Sequence, residues 1–279
     1  MAHPQNSENA QSSKSSNKAD GARQKNSVLE GGPQPKLFFS FLTLFPEIFQ
    51  PVLGSSLLGK AKAKGLVDYR LIQIRDFATD KHRTVDDTPF GGGEGMILKV
   101  DVLHAAWQEA QRQIPREGKS LTVLLSPQGR LFDQEMAHEL SSYAHLTLIS
   151  GHYEGVDERF IDLCVDREVS IGNYVLTGGE LPALVMADTI TRLIPGVVGN
   201  ERSLTEESLE KGLLKYPQYT RPREFLGRSV PDVLLGGDHE AIAAWRQGEM
   251  ERRTAEKRSD LWDLYSAALK RQKEVQFGK

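Results

Sequence analysis

The chain has 279 residues, a formal net charge of −3, and 39% hydrophobic and 26% charged residues. This is the composition of a globular protein with one sizeable core and room for a smaller second unit. Its only cysteine, Cys164, excludes a disulfide framework within the chain and a cysteine-rich zinc site, and we expect that thiol to be buried. No apolar run approaches the ~20 residues of a membrane span, so we expect a cytoplasmic protein without a membrane partner.

The first 35 residues differ in composition from the remainder. Residues 1–35 are rich in Ser, Asn, Gln, Lys and Gly and contain hardly any large apolar residues. Such a segment cannot bury enough surface to offset its ordering entropy, so we predict a disordered N-terminal extension.

Short apolar strands alternate with amphipathic helices after this extension. Strands are predicted at 37–45, 67–74, 121–125 and 146–149. Pro46 suits the first turn of a helix, Asp101 and Asp133 suit helix N-caps, and residues 180–194 form a largely apolar helix. This alternation predicts an α/β fold with a mostly parallel sheet covered on both faces.

The composition changes again after about residue 196. Residues 200–212 are polar without an apolar period and read as a linker. Two further helices are predicted at 238–258 and 259–273. We therefore predict a domain at 36–199, an interdomain linker at 200–212 and a small helical C-terminal domain at 213–279.

Three predicted strands end in small or polar residues, at 125–129, 149–155 and 170–180. Ligands bind at the carboxyl ends of strands in an open α/β sheet, and glycines there let the backbone approach a ligand closely. One such loop would be an ordinary tight turn, but three in succession indicate a binding site. The sequence contains neither a G-x-G-x-x-G fingerprint nor a P-loop, and the glycine run at 91–95 is interpreted as a mobile lid.

Four segments carry a resemblance to a known family: PFGGGEGM at 89–96, LSPQG at 125–129, GHYEGVDER at 151–159 and SIGNYVLTGGELP at 170–182. Together with shorter matches in order up to about Leu264, they resemble the bacterial tRNA (guanine-N1)-methyltransferases of the TrmD family, in the SPOUT superfamily. The resemblance implies a trefoil-knotted domain that forms homodimers and binds S-adenosyl-L-methionine. It also implies a C-terminal domain that binds the anticodon arm of tRNA, and methyl transfer to N1 of guanosine 37, just 3′ of the anticodon.

The resemblance also implies which residues bind the cofactor. They are Leu125, Pro127, Gly151, Tyr153, Glu154, Ser170, Ile171, Gly172, Asn173, Tyr174, Val175, Leu176, Gly178 and Gly179. Asn173 stands where many relatives have Asp. No metal site is implied; Mg²⁺ is compatible with this chemistry, but no motif specifies a site for it.

Methylation of guanine N1 requires removal of its proton, and therefore a general base near N1 and positive charge near O6. The resemblance assigns these catalytic roles to Glu207 and Arg192. Glu207 stands where the family has Asp and is one methylene longer, and the neighbouring Glu206 is the less favoured substitute. The family's site combines the knot of one subunit with the linker of the other.

Charge marks the RNA-binding face only weakly. Phosphate contacts are expected from Arg221, Arg223, Arg228, Arg252, Arg253, Lys257 and Arg258. Glu249, Glu251 and Glu256 interleave with the later ones, and we expect Trp245 in the core.

Two other functions remain open on these residues. One is a SPOUT methyltransferase that acts on ribose 2′-hydroxyls; the loops at 153–155 and 173–179 argue against it. The other is a non-catalytic RNA-binding protein, which we would expect to have lost the glycines at 172, 178 and 179.

Overall fold

A computed structural model describes residues 36–112, 118–199, 208–209 and 212–277. The predicted disordered extension at 1–35 lies outside the described residues, and so do Glu206, Glu207 and most of the predicted linker.

A five-stranded parallel sheet forms the centre of the fold, in the order β2-β1-β6-β5-β7. Its strands are β1 (Leu37–Thr43), β2 (Val67–Gln73), β5 (Ser120–Leu131), β6 (His145–Ser150) and β7 (Arg167–Ser170). Two short antiparallel pairs join β3 (Asp86–Asp87) to β4 (Ile97–Leu98), and β8 (Glu224–Phe225) to β9 (Arg228–Ser229). The predicted parallel sheet is confirmed, whereas neither short pair was predicted.

Eight α-helices occur within the described residues. They are α1 (Phe49–Leu53), α2 (Ser56–Ala63), α3 (Val100–Gln111), α4 (Gln134–Leu140), α5 (Glu158–Cys164), α6 (Glu180–Thr191), α7 (His239–Lys257) and α8 (Ser259–Phe277). A short 3-10 turn at Pro46–Ile48 precedes α1, with the proline in its first turn as predicted.

Helices cover both faces of the sheet, which explains why the central strand β6 is buried at every position. On one face, Phe39 and Phe41 of β1 pack in a core that includes residues of α1, α2, α4 and α6. On the other face, Leu42 packs in a second core built largely from α3 and α5. Cys164 belongs to this second core, as expected, and burial raises the pKa of its thiol.

The structure confirms one predicted helix cap and corrects another. Asp133 Oδ1 accepts a hydrogen bond from Met136 N at 2.8 Å, as predicted. Asp238 caps α7 in the same way, although no cap was predicted there. The prediction for Asp101 was wrong because α3 already begins at Val100, after the N-cap Lys99. Asp101 instead lies in the first turn, where its charge favours the helix dipole.

Strand β5 is longer than predicted. Instead of ending at Leu125, it continues through Pro127 to Leu131, and its pairing with β7 shifts register between Leu125 and Arg130. At Gly129 a Cβ atom would lie 2.3 Å from the backbone nitrogen of Val169, so only glycine permits this approach. The shift bends the strand beside the loops that follow β6 and β7.

The C-terminal part contains α7 and α8, which pack against each other. Leu213 and Thr254 are buried there, and the Thr254 hydroxyl accepts a hydrogen bond from Leu214 N at 2.9 Å. The two long helices confirm the helical character of this part, while the division into domains at 200–212 remains a prediction.

Candidate active site

The loops at the carboxyl ends of the central strands converge on one cleft of about 320 Å³, within the size range of small-molecule pockets. All the predicted cofactor residues line it except Asn173: Leu125, Pro127, Gly151, Tyr153, Glu154, Ser170, Ile171, Gly172, Tyr174, Val175, Leu176, Gly178 and Gly179. Asn173 is exposed between two of these residues. Parallel strands bring their carboxyl ends to one edge of the sheet, and this explains why three distant loops meet.

Several lining residues were missed by the sequence analysis. They are Leu124, Ser126, Gln128, His152, Gly155, Val156, Glu158, Ile161, Glu168, Val169, Thr177 and Pro182. Many of them lie within the quoted motifs, so a whole-motif prediction would have found them. Glu158 is one of these, whereas Ile161 belongs to α5 beyond the quoted motifs and carried no signal.

The cleft is acidic. Glu154, Glu158 and Glu168 line it, and no lysine or arginine occurs among its described lining residues. Carboxylates without a compensating cation disfavour a phosphate-bearing ligand and favour one that carries positive charge. This agrees with the absence of phosphate-binding motifs from the sequence.

Tyr153 and Glu154 lie on a tight loop after β6 that a neighbouring segment supports. Tyr153 has a positive φ of 59°, and Glu154 N donates to Met96 O at 3.0 Å. Leu98 N donates to Gly155 O at 3.0 Å. The end of the glycine-rich segment therefore pairs with the loop that carries Glu154.

The loop after β7 is held by its own first residues. The Ser170 hydroxyl donates to Gly172 O at 3.0 Å, and Tyr174 N donates to Gly172 O at 2.9 Å. The Tyr174 hydroxyl donates to Ile171 O at 3.3 Å, which folds the ring back over the turn. Val175 is 84% exposed at the mouth of the cleft.

A buried carboxylate joins the walls of the cleft to the sheet. Glu180, in the first turn of α6, is only 3% exposed. Its Oε1 accepts a hydrogen bond from the Thr43 hydroxyl at 2.8 Å, and its Oε2 lies 3.3 Å from His152 Nε2. The sequence analysis assigned no role to any of these three residues.

Of the predicted catalytic pair, Arg192 does not line this cleft. Arg192 is the C-cap of α6 and is half-buried. Glu180 begins the same helix beside the cleft, so Arg192 lies roughly 18 Å away along the helix axis. Glu207 lies outside the described residues, so its role remains a prediction.

The described residues contain neither a metal-binding cluster nor a membrane-spanning helix. No group of three or more His, Cys, Asp or Glu side chains there is placed to hold a metal ion. No helix in the described ranges has the length and apolar character needed to cross a membrane.

A five-stranded parallel sheet with a ligand-sized cleft at its carboxyl edge defines a ligand-binding α/β domain. The family model described as tRNA (Guanine-1)-methyltransferase TrmD matches residues 37–264. The chain belongs to this family.

Its relatives support that assignment over most of their length. A tRNA (guanine-N(1)-)-methyltransferase of Ruminiclostridium cellulolyticum is 49% identical over 81% of this chain and 96% of its own. Proteins of the same name from Geobacillus kaustophilus and Dictyoglomus turgidum are each 51% identical, over 80% and 82% of this chain and 91% of their own.

Proposed function

We propose that this protein transfers the methyl group of S-adenosyl-L-methionine to N1 of guanosine 37 in tRNA, next to the anticodon. The observation that carries the proposal is the cleft itself, in which loops of the family's motifs meet at one edge of the sheet. Relatives about 50% identical over nearly their whole length are named for this activity. Because tRNA is a cytoplasmic substrate, we propose the same location for the protein.

The lining of the cleft fits the proposed cofactor. S-Adenosyl-L-methionine has a positively charged sulfonium, an ammonium group and no phosphate, and the cleft offers Glu154, Glu158 and Glu168 without a lysine or arginine among its described residues. Leu125, Ile171 and other apolar side chains provide surface for the adenosine. When bound, the cofactor supplies a methyl group on a cationic sulfur. This sulfur becomes a neutral thioether, the leaving group, once the methyl group is transferred.

The proton of guanine N1 must leave as the new bond forms. We assign its acceptance to the Glu207 carboxylate and the stabilisation of negative charge on O6 to Arg192. The N1–methyl bond forms and the sulfur–methyl bond breaks, while the proton passes to the carboxylate. In-line transfer of this kind demands alignment and no covalent enzyme intermediate.

A homodimer would complete the site. Arg192 lies at the end of α6 remote from the cleft of its own chain. Leu181 and Val185 are 56% and 44% exposed on α6, and Ile48 and Val52 are exposed at α1. Helices α1 and α6 pack together, and exposed apolar side chains on packed helices are typical of protein interfaces.

The trefoil knot belongs to the same proposal. The loop before α6 passes tightly against the end of β6: Gly179 N donates to Gly151 O at 3.0 Å, and a Cβ at Gly179 would lie 2.6 Å from the Ser150 Cα. Close passage of these loops supports threading of the chain, which the cofactor would then contact on several sides.

For the anticodon arm of tRNA, the C-terminal part offers a cationic and aromatic groove of about 570 Å³. It is lined by Arg221, Arg223, Arg246, Tyr216, Tyr219 and Trp245, among others. Trp245 is half-buried at this groove, so the expectation that it belongs to the core was wrong. Guanidinium groups beside aromatic rings suit phosphates and unpaired bases.

Ion pairs narrow the set of predicted phosphate-binding residues. Arg223 pairs with Asp232, Arg252 with two glutamates and Arg258 with Asp260. In the described part of the chain, the other predicted residues form no ion pair and are therefore more available for phosphate: Arg221, Arg228, Arg253 and Lys257. Arg246, which was not predicted, stacks with its guanidinium 4.6 Å from the centre of the Tyr216 ring.

The direct test is product identity. The protein is incubated with methyl-labelled S-adenosyl-L-methionine and a tRNA transcript carrying G37, with an A37 transcript as the matched control. We expect 1-methylguanosine from the first and no label in the second. A 2′-O-methylated nucleoside would establish the rival methyltransferase, and RNA binding without any product would establish a non-catalytic protein.

The role of Glu207 is tested by substitution. Glu207→Gln keeps the shape but removes the proton acceptor, so the single-turnover rate should fall ~10²–10⁴-fold with tRNA affinity little changed. Glu207→Asp should retain much of the rate, and Glu206→Gln should be nearly silent. A large loss in Glu206→Gln alone would move the base to that residue, and no loss in either would show that the proton leaves by another route.

The composite site is tested by mixing inactive proteins. A dimer of one Gly178→Val subunit and one Glu207→Gln subunit contains one intact cleft facing one intact Glu207 if the two come from opposite subunits. Activity should then return on subunit exchange. No activity in verified heterodimers would place Glu207 at the cleft of its own chain, and a monomeric protein would exclude the composite site.

A further inference from the structure

Glu180, His152 and Thr43 form a polar network directly behind the cleft wall. Three different elements supply them: Thr43 ends β1, His152 follows β6, and Glu180 begins α6. Glu180 is almost completely buried and uses both carboxylate oxygens, one for the Thr43 hydroxyl and one for the His152 ring. A carboxylate withdrawn from water needs such donors, so these contacts restrain all three elements.

The network holds two loops of the cleft at the same point. A Cβ at Gly178 would lie 2.4 Å from both Glu180 Oε2 and His152 Nε2. The Gly178 backbone therefore packs directly against the pair formed by these two side chains. The adjacent Gly179 N donates to Gly151 O. His152 also packs against Phe45, with ring centroids 4.9 Å apart. The loop after β6 and the turn before α6 are therefore locked to each other and to the end of β1.

Of the three residues, only His152 lines the cleft. Glu180 and Thr43 do not line the ligand space and affect it only through the residues that they contact. We infer that Glu180 is a positioning residue for the cofactor: with Thr43 behind it, it fixes His152 and the Gly178 turn in the arrangement that accepts S-adenosyl-L-methionine. This inference rests on the proposed use of that cofactor.

A second polar pair on the same two strands provides a matched reference. Ser40 of β1 and His145 of β6 are fully buried, and the Ser40 hydroxyl lies 2.9 Å from His145 Nε2. Neither residue lines the cleft. This pair also joins β1 to β6 but does not line the cleft or contact its loops, so its loss should affect stability alone.

The test uses variants that do not touch the cleft. Thr43→Val keeps the shape of the side chain but removes the donor to Glu180, and Thr43→Ser restores the hydroxyl. Glu180→Gln removes the charge at nearly constant volume. Affinity for S-adenosyl-L-methionine and for S-adenosylhomocysteine is measured by calorimetry without tRNA, together with Tm, and Ser40→Ala is the stability control.

We expect Thr43→Val and Glu180→Gln each to weaken cofactor binding about 10- to 100-fold, the range for loss of one hydrogen bond to a charged group. Thr43→Ser should bind within about twofold of the original chain, and Ser40→Ala should lower Tm without changing affinity. The double variant Thr43→Val with Glu180→Gln should lose less than the product of the single effects, because both changes break one network.

Unchanged affinity in folded Thr43→Val and Glu180→Gln proteins, with only Tm lowered, would overturn the inference and leave the network structural. If Glu180→Gln fails to fold, the cofactor affinities of Thr43→Val and Thr43→Ser decide whether the inference holds. The proposed function fails separately: the original chain would then not bind the cofactor at all, or would yield no 1-methylguanosine.

Discussion

Buried polar side chains on strands β1 and β6 are hydrogen-bonded in two different ways, one toward the amino ends of the strands and one at their carboxyl ends. Toward their amino ends, Ser40 and His145 pair in a space closed on all sides. At their carboxyl ends, Thr43 and the loop residue His152 meet through Glu180, and the His152 ring reaches an open cleft. Both arrangements satisfy buried polar groups, but only the second is surrounded by glycine-rich loops. A polar pair in a core thus stabilises the fold, and a similar pair behind a loop shapes a binding site.

The largest loss of cofactor affinity is expected when a side chain is introduced next to the network of Thr43, His152 and Glu180. Gly178→Val would put atoms where Glu180 and His152 meet, and breaking a buried pair costs ~3–5 kcal/mol, which corresponds to a loss of roughly 150- to 5,000-fold in affinity. Calorimetry with S-adenosyl-L-methionine on protein shown to be folded by its Tm measures this loss. Unchanged affinity would mean that the two ends of the strands do not differ in function.

The second prediction concerns how the stability of the protein depends on pH through the buried pair of Ser40 and His145. Burial, with a smaller contribution from the charge of Arg70, lowers the pKa of His145 to about 4 from an ordinary value of 6.5. The folded state therefore favours the neutral ring, so stability is fully present above pH 6.5 and is lost as the pH falls toward 4. The loss should be of order 3 kcal/mol at most.

Denaturant unfolding of the original chain and of His145→Gln, at intervals from pH 7 to pH 4, measures this dependence. The variant should be less stable at pH 7 but should lose less stability on acidification. An identical pH profile for the two proteins would show that His145 does not carry the acid sensitivity.

The smallest effect is expected within the loop after β7. A Cβ at Gly172 would lie 2.3 Å from the ring of Tyr174, a side chain that is 55% exposed and can turn away. Gly172→Ala should therefore weaken cofactor binding only about tenfold, less than Gly178→Val, by moving Tyr174 in the cleft. Asn173→Ala, at an exposed position outside the lining, is the control and should bind normally. Equal losses in the two variants would point to general disturbance of the loop.

The sequence by itself predicted the parallel sheet, the cap at Asp133, the loops of the cleft and the family. These features depend on apolar runs, helix caps and glycine-rich segments, each of which is formed by residues close together in the sequence. Its boundary errors at Asp101 and Leu125 arose where tertiary contacts decided: α3 begins earlier, and pairing with β7 extends β5 beyond the apolar run.

Only the tertiary structure identified the role of Glu180. In the sequence it is one acidic residue at the start of a helix, 137 positions from Thr43 along the chain. The same holds for the acidic character of the cleft, because Glu154, Glu158 and Glu168 come from three different elements. Local patterns determine which segments become strands, helices and tight loops, whereas a buried charge and its partners are chosen by which segments the fold brings together.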